Sequence, residues 1–535
     1  MRTIQKSIAH IFLAGGLAAG ALTSCTDNYM DYNRNWSEVT KEEMDRDGYL
    51  MSASMLGMQN NVVPVEEHLN QFAECLLGGV WGGYFADSQT WANSFSYLNQ
   101  SQDWLEKLYM DMMPNIYSNW MKLQSSTDDP VILSVGQVIK IAALSRIVDS
   151  YGPIPYSQVG MDGKLTAPFD SQKDIYYKMF DELSASVTTL TANQKNNFTA
   201  SADDVYGGVV EKWIKFANSL KLRLAMRLVY ADNAKAEAMV KEAIDTSNGK
   251  LGVMTKNDDN AFMKVNINPF YKVCYEYNGG ETKVSADLLT YMNSWGDPRR
   301  AAYANVSTFS ASSSQEHQGI ADNYHGLRIG NTYPIGTGQC YSNVHVAIGD
   351  PIMWMNAAEV MFLRAEAALY GWDTAQTAKD YYENGIRLSF EQWGADKVDN
   401  YLANISTPQS YKDPLNTYTY SGTVSTIKVK WEEEAEQELK LERIITQKWI
   451  AIFPLGLEAW AEFRRTGYPN LMPSPTNKSG GDVMNGNFAR RLTYPQGEYK
   501  TNGENIEYAI KNYLGGNDKM STHVWWDCNP RLTNE

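Results

Sequence analysis

Apolar residues recur along this chain with a helical period, and the stripes come in pairs. In "VILSVGQVIKIAALSRIVDS" (131–150), Val131, Val135, Val138, Ile141, Ala142 and Ser145 share one face, stepping by three and four. Gly152 and Pro153 stop that run, and a second helical run follows at 172–190. The next pair is 208–231 with 234–246, and Trp213, Ala217, Leu220, Leu224 and Leu228 line the first member. A third pair fills 356–394. Gly371-Trp372 makes its turn, Asp373 or Thr374 is the expected N-cap, and small Ala365, Ala368 and Gly371 face Ala378, Tyr382 and Ile386. A fourth runs through 438–453 and 456–467. The pattern predicts a mainly all-α fold: tetratricopeptide-like helical hairpins near 131–192, 208–246, 356–394 and 438–467, with long irregular insertions.

Two insertions, 76–103 and 303–350, are rich in Gly, Ser, Asn and rings and show no sustained period. Long irregular segments in a compact protein are functional or disordered, and these carry too many rings for disorder. Rings are the compositional oddity of the whole chain: 15 Trp, 33 Tyr and 16 Phe make 12% of it. Thirty-three tyrosines are many for burial, because each buried hydroxyl needs a partner.

The N-terminus explains where such a chain resides. Arg2 and Lys6 precede an apolar run from Ile8 to Leu22, too short to span a bilayer and laid out as a secretory signal. "LTSC" (22–25) looks like a bacterial lipobox, which makes 1–24 a signal peptide and Cys25 the lipidated first residue of a single domain over 25–535. The alternative is an ordinary export signal with an incidental cysteine. Beyond it no second apolar run of membrane-spanning length is expected. Loss of 1–24 removes Arg2 and Lys6 and no acid, so the formal charge moves from -15 to -17. A chain so acidic, with no basic cluster, is not a nucleic-acid binder. Cys75, Cys274, Cys340 and Cys528 are far apart in sequence and form neither a zinc knuckle nor a redox pair.

Six stretches are distinctive: "SRIVDSYGPIPYSQV" (145–159), 211–227, "GDPRR" (296–300), 358–372, 445–471 and "RRLTYPQGEY" (490–499). The first is similar to a D-x-Y-G-x-x-P-Y-S signature, and in this order the set resembles the SusD/RagB family of surface glycan-binding lipoproteins of Bacteroidetes. The resemblance implies a lipoprotein anchored in the outer membrane at the cell surface. It would act as a lid over a SusC-type TonB-dependent transporter, capturing a glycan or oligosaccharide for uptake. Asp27 and Asp31, close behind the cysteine, look like the surface-export signal of these bacteria, although a periplasm-facing orientation is the alternative. A lid with little ligand affinity, or a peptide-capturing relative, is the alternative function.

The signature residues Tyr151, Gly152, Pro153, Pro155 and Tyr156 are expected to fix a turn, and Arg464, Arg465, Arg490 and Arg491 to pair with acidic helices. Ligand contacts are sought elsewhere. A sugar offers flat C–H faces ringed by hydroxyls, so its receptor needs exposed rings beside amides and carboxylates. The 76–103 segment supplies Trp81, Tyr84 and Trp91 with Asn93, and Gly78, Gly79, Gly82 and Gly83 would allow close backbone approach. A second set is Tyr275 and Tyr277 together with Tyr324, His325 and Arg328. Catalysis is not expected. No G-x-S-x-G, H-E-x-x-H or P-loop occurs, and Glu359 and Glu366 lie seven apart in a scaffold hairpin. No cofactor is called for; "NDDN" (257–260) offers oxygen ligands for a structural calcium or magnesium, but not in EF-hand spacing.

Overall fold

The computed structural model describes residues 48–161 and 166–532. Cys25, Asp27, Asp31 and the whole signal segment lie outside the described residues. From Met51 onward the chain forms one unit, and it is predominantly helical.

Eight helices make the scaffold: α1 (Pro130–Tyr151), α2 (Gln172–Ala192), α3 (Val210–Arg227), α4 (Asn233–Ile244), α5 (Ala357–Leu369), α6 (Ala378–Gln392), α7 (Gln437–Ala451) and α8 (Gly456–Thr466). The local chemistry at their ends explains most of the boundaries. Asp129 caps α1 through a bond from Val131 N, with proline in the first turn, and Gly152 ends it in the left-handed region at φ +84°. Ser171 caps α2, Asp232 caps α4 and Asn356 caps α5. The start of α6 differs from expectation. Thr377 and Asp380 form a capping box there, while Asp373 is buried and accepts from Arg364 (2.7 Å) and the Tyr381 hydroxyl (3.1 Å).

Consecutive helices pair as α1–α2, α3–α4 and α5–α6, and α2 also packs on α3. The last pair is looser than a hairpin: α7 lies mainly on α5 and α6, whereas α8 lies on the 71–78 stretch. Phe453–Pro454, between α7 and α8, is a cis peptide. By length and hydropathy α1 could cross a membrane, which the sequence reading did not anticipate. Its residues are instead mostly buried against neighbouring helices, as in the core of a soluble domain. Two short antiparallel pairs complete the frame, Phe85–Asp87 with Thr282–Val284 and Ala261–Met263 with Ile352–Met355.

The interior of the scaffold is charged. Arg223 holds Glu359 through two bonds (2.7 and 2.6 Å), and Arg227 holds both oxygens of Glu458 at 2.7 Å and also reaches Glu462. Arg465 clasps Glu366 (2.7 and 2.8 Å) and Glu462 (2.7 Å), with Lys448 3.2 Å from Glu462. All eight side chains are buried. Each charge therefore needs its partner, because removal of one leaves another stranded in a low-dielectric interior. Glu359 and Glu366 are structural acids.

The signature turn is wired in the same way. The Tyr151 hydroxyl donates to Leu105 O (2.8 Å), that of Tyr156 to Glu182 on α2 (2.6 Å), and Asp170 accepts from the backbone of Tyr156 and Ser157. Arg464 departs from the expected acid pairing. It donates to the carbonyls of Asp149 and Arg490 and lies over Trp460. Arg490 and Arg491 do meet acids, Asp527 and Asp518.

Candidate functional site

Three π-helical stretches, Gln71–Gly78, Lys107–Met112 and Lys272–Glu276, gather around one part of the surface. Such wide turns are uncommon and concentrate at functional sites, since they redirect side chains out of the regular helical stripe. The first continues the short helix Glu67–Asn70, whose N-cap Glu66 accepts from His68 N and Leu69 N. The second continues Gln102–Glu106. The third leads into Tyr277.

Rings emerge from these elements in a connected series. Half-buried Phe72 and Trp104 meet at 5.1 Å, and half-buried Trp91 stands edge-on to Trp104 at 5.6 Å. Beneath them Phe95 touches Trp104 (5.6 Å) and Trp81 (5.3 Å), and Trp81 in turn meets Trp460 of α8 (4.8 Å). The half-buried rings thus rest on a column of buried ones that ends in the scaffold. Such tilted and edge-to-face contacts favour a fixed geometry for the upper rings.

The loop that presents Trp91 is held by its own polar groups. Gln89 N donates to Asp87 (2.6 Å), Ser94 N to Trp91 O (3.1 Å) and the Asn99 amide to Ala92 O (2.8 Å). A second arm carries Tyr277, whose ring lies 5.5 Å from that of His68 and whose hydroxyl donates to Glu67 (2.6 Å). Buried Glu281 joins the arms. It accepts from Gln71 (2.6 Å) and Asn278 (2.5 Å), and the Gln89 amide donates to Asn278 O (3.0 Å). Burial raises the Glu281 carboxyl to about 7 against those two amide bonds, and burial likewise raises Asp87 to about 6. The rim also holds Glu66, Glu67 and Glu106. Two cations of these elements are paired, Lys107 with Asp111 (2.9 Å) and Lys272 with Glu276 (2.6 Å).

Of the residues singled out in the sequence, Trp91, Asn93 and Tyr277 belong to this surface, with Asn93 exposed beside Trp91. Trp81 and Tyr84 do not present faces to solvent. Trp81 is 7% exposed with its indole N–H on Phe95 O (3.0 Å), and Tyr84 is fully buried, stacked on Trp449 and bonded to that residue's carbonyl. They are supports, because the segment is still helical at Trp81 and turns these rings toward the core.

The glycines serve the same packing. A Cβ on Gly78 would lie 2.7 Å from Leu457 N, and Cβ atoms on Gly79, Gly82 or Gly456 would also run into neighbouring atoms. The glycines let the ring-bearing helix meet α8 backbone to backbone, and it is α8, not a ligand, that approaches Gly78 and Gly82.

Tyr275 stacks on Tyr271 at 5.0 Å and donates to Val344 O (2.6 Å), and Tyr324 covers Arg300 (4.3 Å) above a hollow formed with Asn293 and Gln409. Arg328 is 3% exposed and donates to the carbonyls of Met472 (3.1 Å) and Pro473, so it is unable to reach a surface ligand without unfolding its loop. In "NDDN", Asp259 accepts from Lys215 (2.8 Å) and Asn257 donates to Leu388 O (3.0 Å). Among the described residues no group of three or more His, Cys, Asp or Glu is arranged to hold a metal. Sequence reading missed Phe72, His68 and Trp104. The signal was there: each is a ring set in an otherwise polar stretch, "EEHLNQF" and "SQDWLEK".

The chain matches a family model described as SusD-like, Susd and RagB outer membrane lipoprotein, over residues 31–527. No match is found among curated proteins. Solved structures resemble it over nearly all their length. A SusD homologue from Bacteroides uniformis is 45% identical with a TM-score of 0.85, covering 90% of this chain and 100% of its own. One from Bacteroides ovatus is 40% identical at a TM-score of 0.84, with the same coverages. A chitin-binding SusD homologue from Flavobacterium johnsoniae is 32% identical at 0.82, covering 90% and 99%. Sequence and fold agree: this chain belongs to the SusD-like family of SusD and RagB outer membrane lipoproteins.

Proposed function

We propose that this protein captures a neutral glycan on the Phe72–Trp91–Trp104 surface and delivers it to a SusC-type TonB-dependent transporter, without making or breaking a bond. The observation that carries the reading is the arrangement of half-exposed rings on a buried aromatic column, flanked by Asn93, Asn99, Gln100 and His68. Rings of this kind stack on the C–H faces of sugars while amides meet the hydroxyls. The acidic rim disfavours uronate or sulfated chains by like-charge repulsion. Description of one similar structure as chitin-binding supports a neutral, acetamido-bearing strand as the first ligand to try.

The lipid anchor at Cys25 would hold the protein at the cell surface. Affinity electrophoresis of the chain from residue 26 against plant, host and microbial polysaccharides tests the reading, with calorimetry on chitooligosaccharides. Retardation by a neutral glycan that is lost in Trp104→Ala is the expected result. No retardation by any glycan, with binding of oligopeptides instead, would overturn it.

A further inference from the structure

The cysteines are far apart in the sequence, yet the fold sets two of them side by side. Cys75 lies on the Gln71–Gly78 stretch and Cys274 on Lys272–Glu276, and both side chains are fully buried. Pro269–Tyr271, just before Cys274, packs on Gln71–Gly78. Bonds on either side draw the two stretches together: Gln71 donates to Glu281 (2.6 Å) and the Tyr277 hydroxyl to Glu67 (2.6 Å). Inside that contact the Cys75 sulfur lies within hydrogen-bonding reach of the Cys274 thiol and 3.6 Å from Asn70 Oδ1.

The other described cysteines are placed elsewhere. Cys340 belongs to a separate apolar cluster with Phe309 and Tyr341, its sulfur 3.7 Å from His317 Nδ1, and Cys528 is half-buried near the C-terminal end. An outer membrane lipoprotein folds outside the cytosol, where disulfides form and persist. Burial raises the Cys75 thiol well above its ordinary range, so the closed pair yields little thiolate. Thiol exchange therefore belongs to the folding chain, before the two stretches meet.

We infer that Cys75 and Cys274 form a disulfide as the exported chain folds, a covalent tie between the stretch that bears Phe72 and the arm that bears Tyr277. The oxidant is a second disulfide, of a small thiol or of a thiol–disulfide exchange protein. The thiolate of one cysteine attacks it and releases one thiol. The thiolate of the other then attacks the mixed disulfide and releases the second. Two electrons and two protons pass from the pair to the oxidant, which leaves as two thiols. The tie closes the long loop from 75 to 274 in the unfolded chain and so restricts that state strongly. It does not depend on what the ring surface binds.

The soluble chain from residue 26 carries these four cysteines and no other, which makes the count simple. It is unfolded in guanidinium and refolded with mixed reduced and oxidised glutathione, or with excess dithiothreitol. Alkylation with iodoacetamide in denaturant counts the thiols, and peptide mass mapping locates any link. After oxidative refolding, alkylation of Cys340 and Cys528 alone is expected, with one peptide pair joined through Cys75 and Cys274. The linked form should melt about 3 °C or more above the reduced form, a gap that Cys75→Ala abolishes. Where refolding fails, export of the chain to a bacterial periplasm with alkylation at lysis reads the same link. Four free thiols in the oxidised protein, a link in any other pairing, or equal melting of linked and reduced chains would overturn the proposal.

Discussion

Two regions of this molecule handle their side chains in opposite ways. Between α3, α5, α7 and α8 the chain buries Arg223, Arg227, Lys448 and Arg465 against Glu359, Glu366, Glu458 and Glu462. Between 67 and 107 it leaves Phe72, Trp91 and Trp104 partly in water, and its buried Gln71 ties that stretch to Glu281 of the second arm. Both arrangements cost stability relative to an apolar core with a polar surface. The first cost fixes which helix faces which, because a displaced helix would strand a charge. The second leaves apolar surface available to a ligand. On the proposed function, fold specificity and ligand capture fall to different parts of the chain, so damage to one should leave the other measurable.

The largest expected effect breaks the first region. Arg465→Ala leaves Glu366 and Glu462 buried without their main partner and should cost about 3–5 kcal/mol of stability. Chemical denaturation reads it, and a loss under about 1 kcal/mol would show that the ion lattice is not what aligns the helices. Trp104→Ala should do the converse. Glycan affinity should fall at least tenfold, about 1.4 kcal/mol in binding, while the folded state survives with a smaller loss.

A third test sharpens the boundary between the regions through Glu281. Its carboxyl titrates near 7 when folded and near 4.5 when unfolded, so between those values the folded state holds a proton that the unfolded state has lost. Stability is therefore greatest at the acidic end and falls as pH rises through 7, by about 1–3 kcal/mol. Denaturation of the wild type at pH 5 and pH 8 measures the slope, and Glu281→Gln should flatten it. An unchanged slope in that variant would assign the pH dependence to other groups. The smallest effect is expected for exposed Asn93→Ala, within about 0.5 kcal/mol in stability and with a few-fold loss of glycan affinity.

The helical frame was legible because burial writes a period into the sequence: the stripes at Val131–Ser145 and Trp213–Leu228 mark α1 and α3 directly. Strands of three residues, such as Phe85–Asp87, carry too short an alternation to be read. The site was legible only as a neighbourhood. Trp81 and Trp91 sit in the same ring- and glycine-rich segment, and composition is blind to the fact that one faces α8 and the other faces water. Trp104 lies one residue beyond that segment and Phe72 four before it, and only the tertiary packing of their two helical stretches brings the rings together. Arg328 was misread for a general reason. A guanidinium in a loop looks like a ligand group until its carbonyl acceptors are seen.

The glycine contact between the ring-bearing helix and α8 also sets the terms on which such a protein can diversify. Where backbone touches backbone at Gly78, Gly82 and Gly456, the joint has no side chains whose exchange could adjust it, and a larger residue would push the helices apart. The joint therefore tolerates no larger side chain, whereas Trp91, Asn93 and Trp104 stand clear of it and can be exchanged without forcing the two backbones apart.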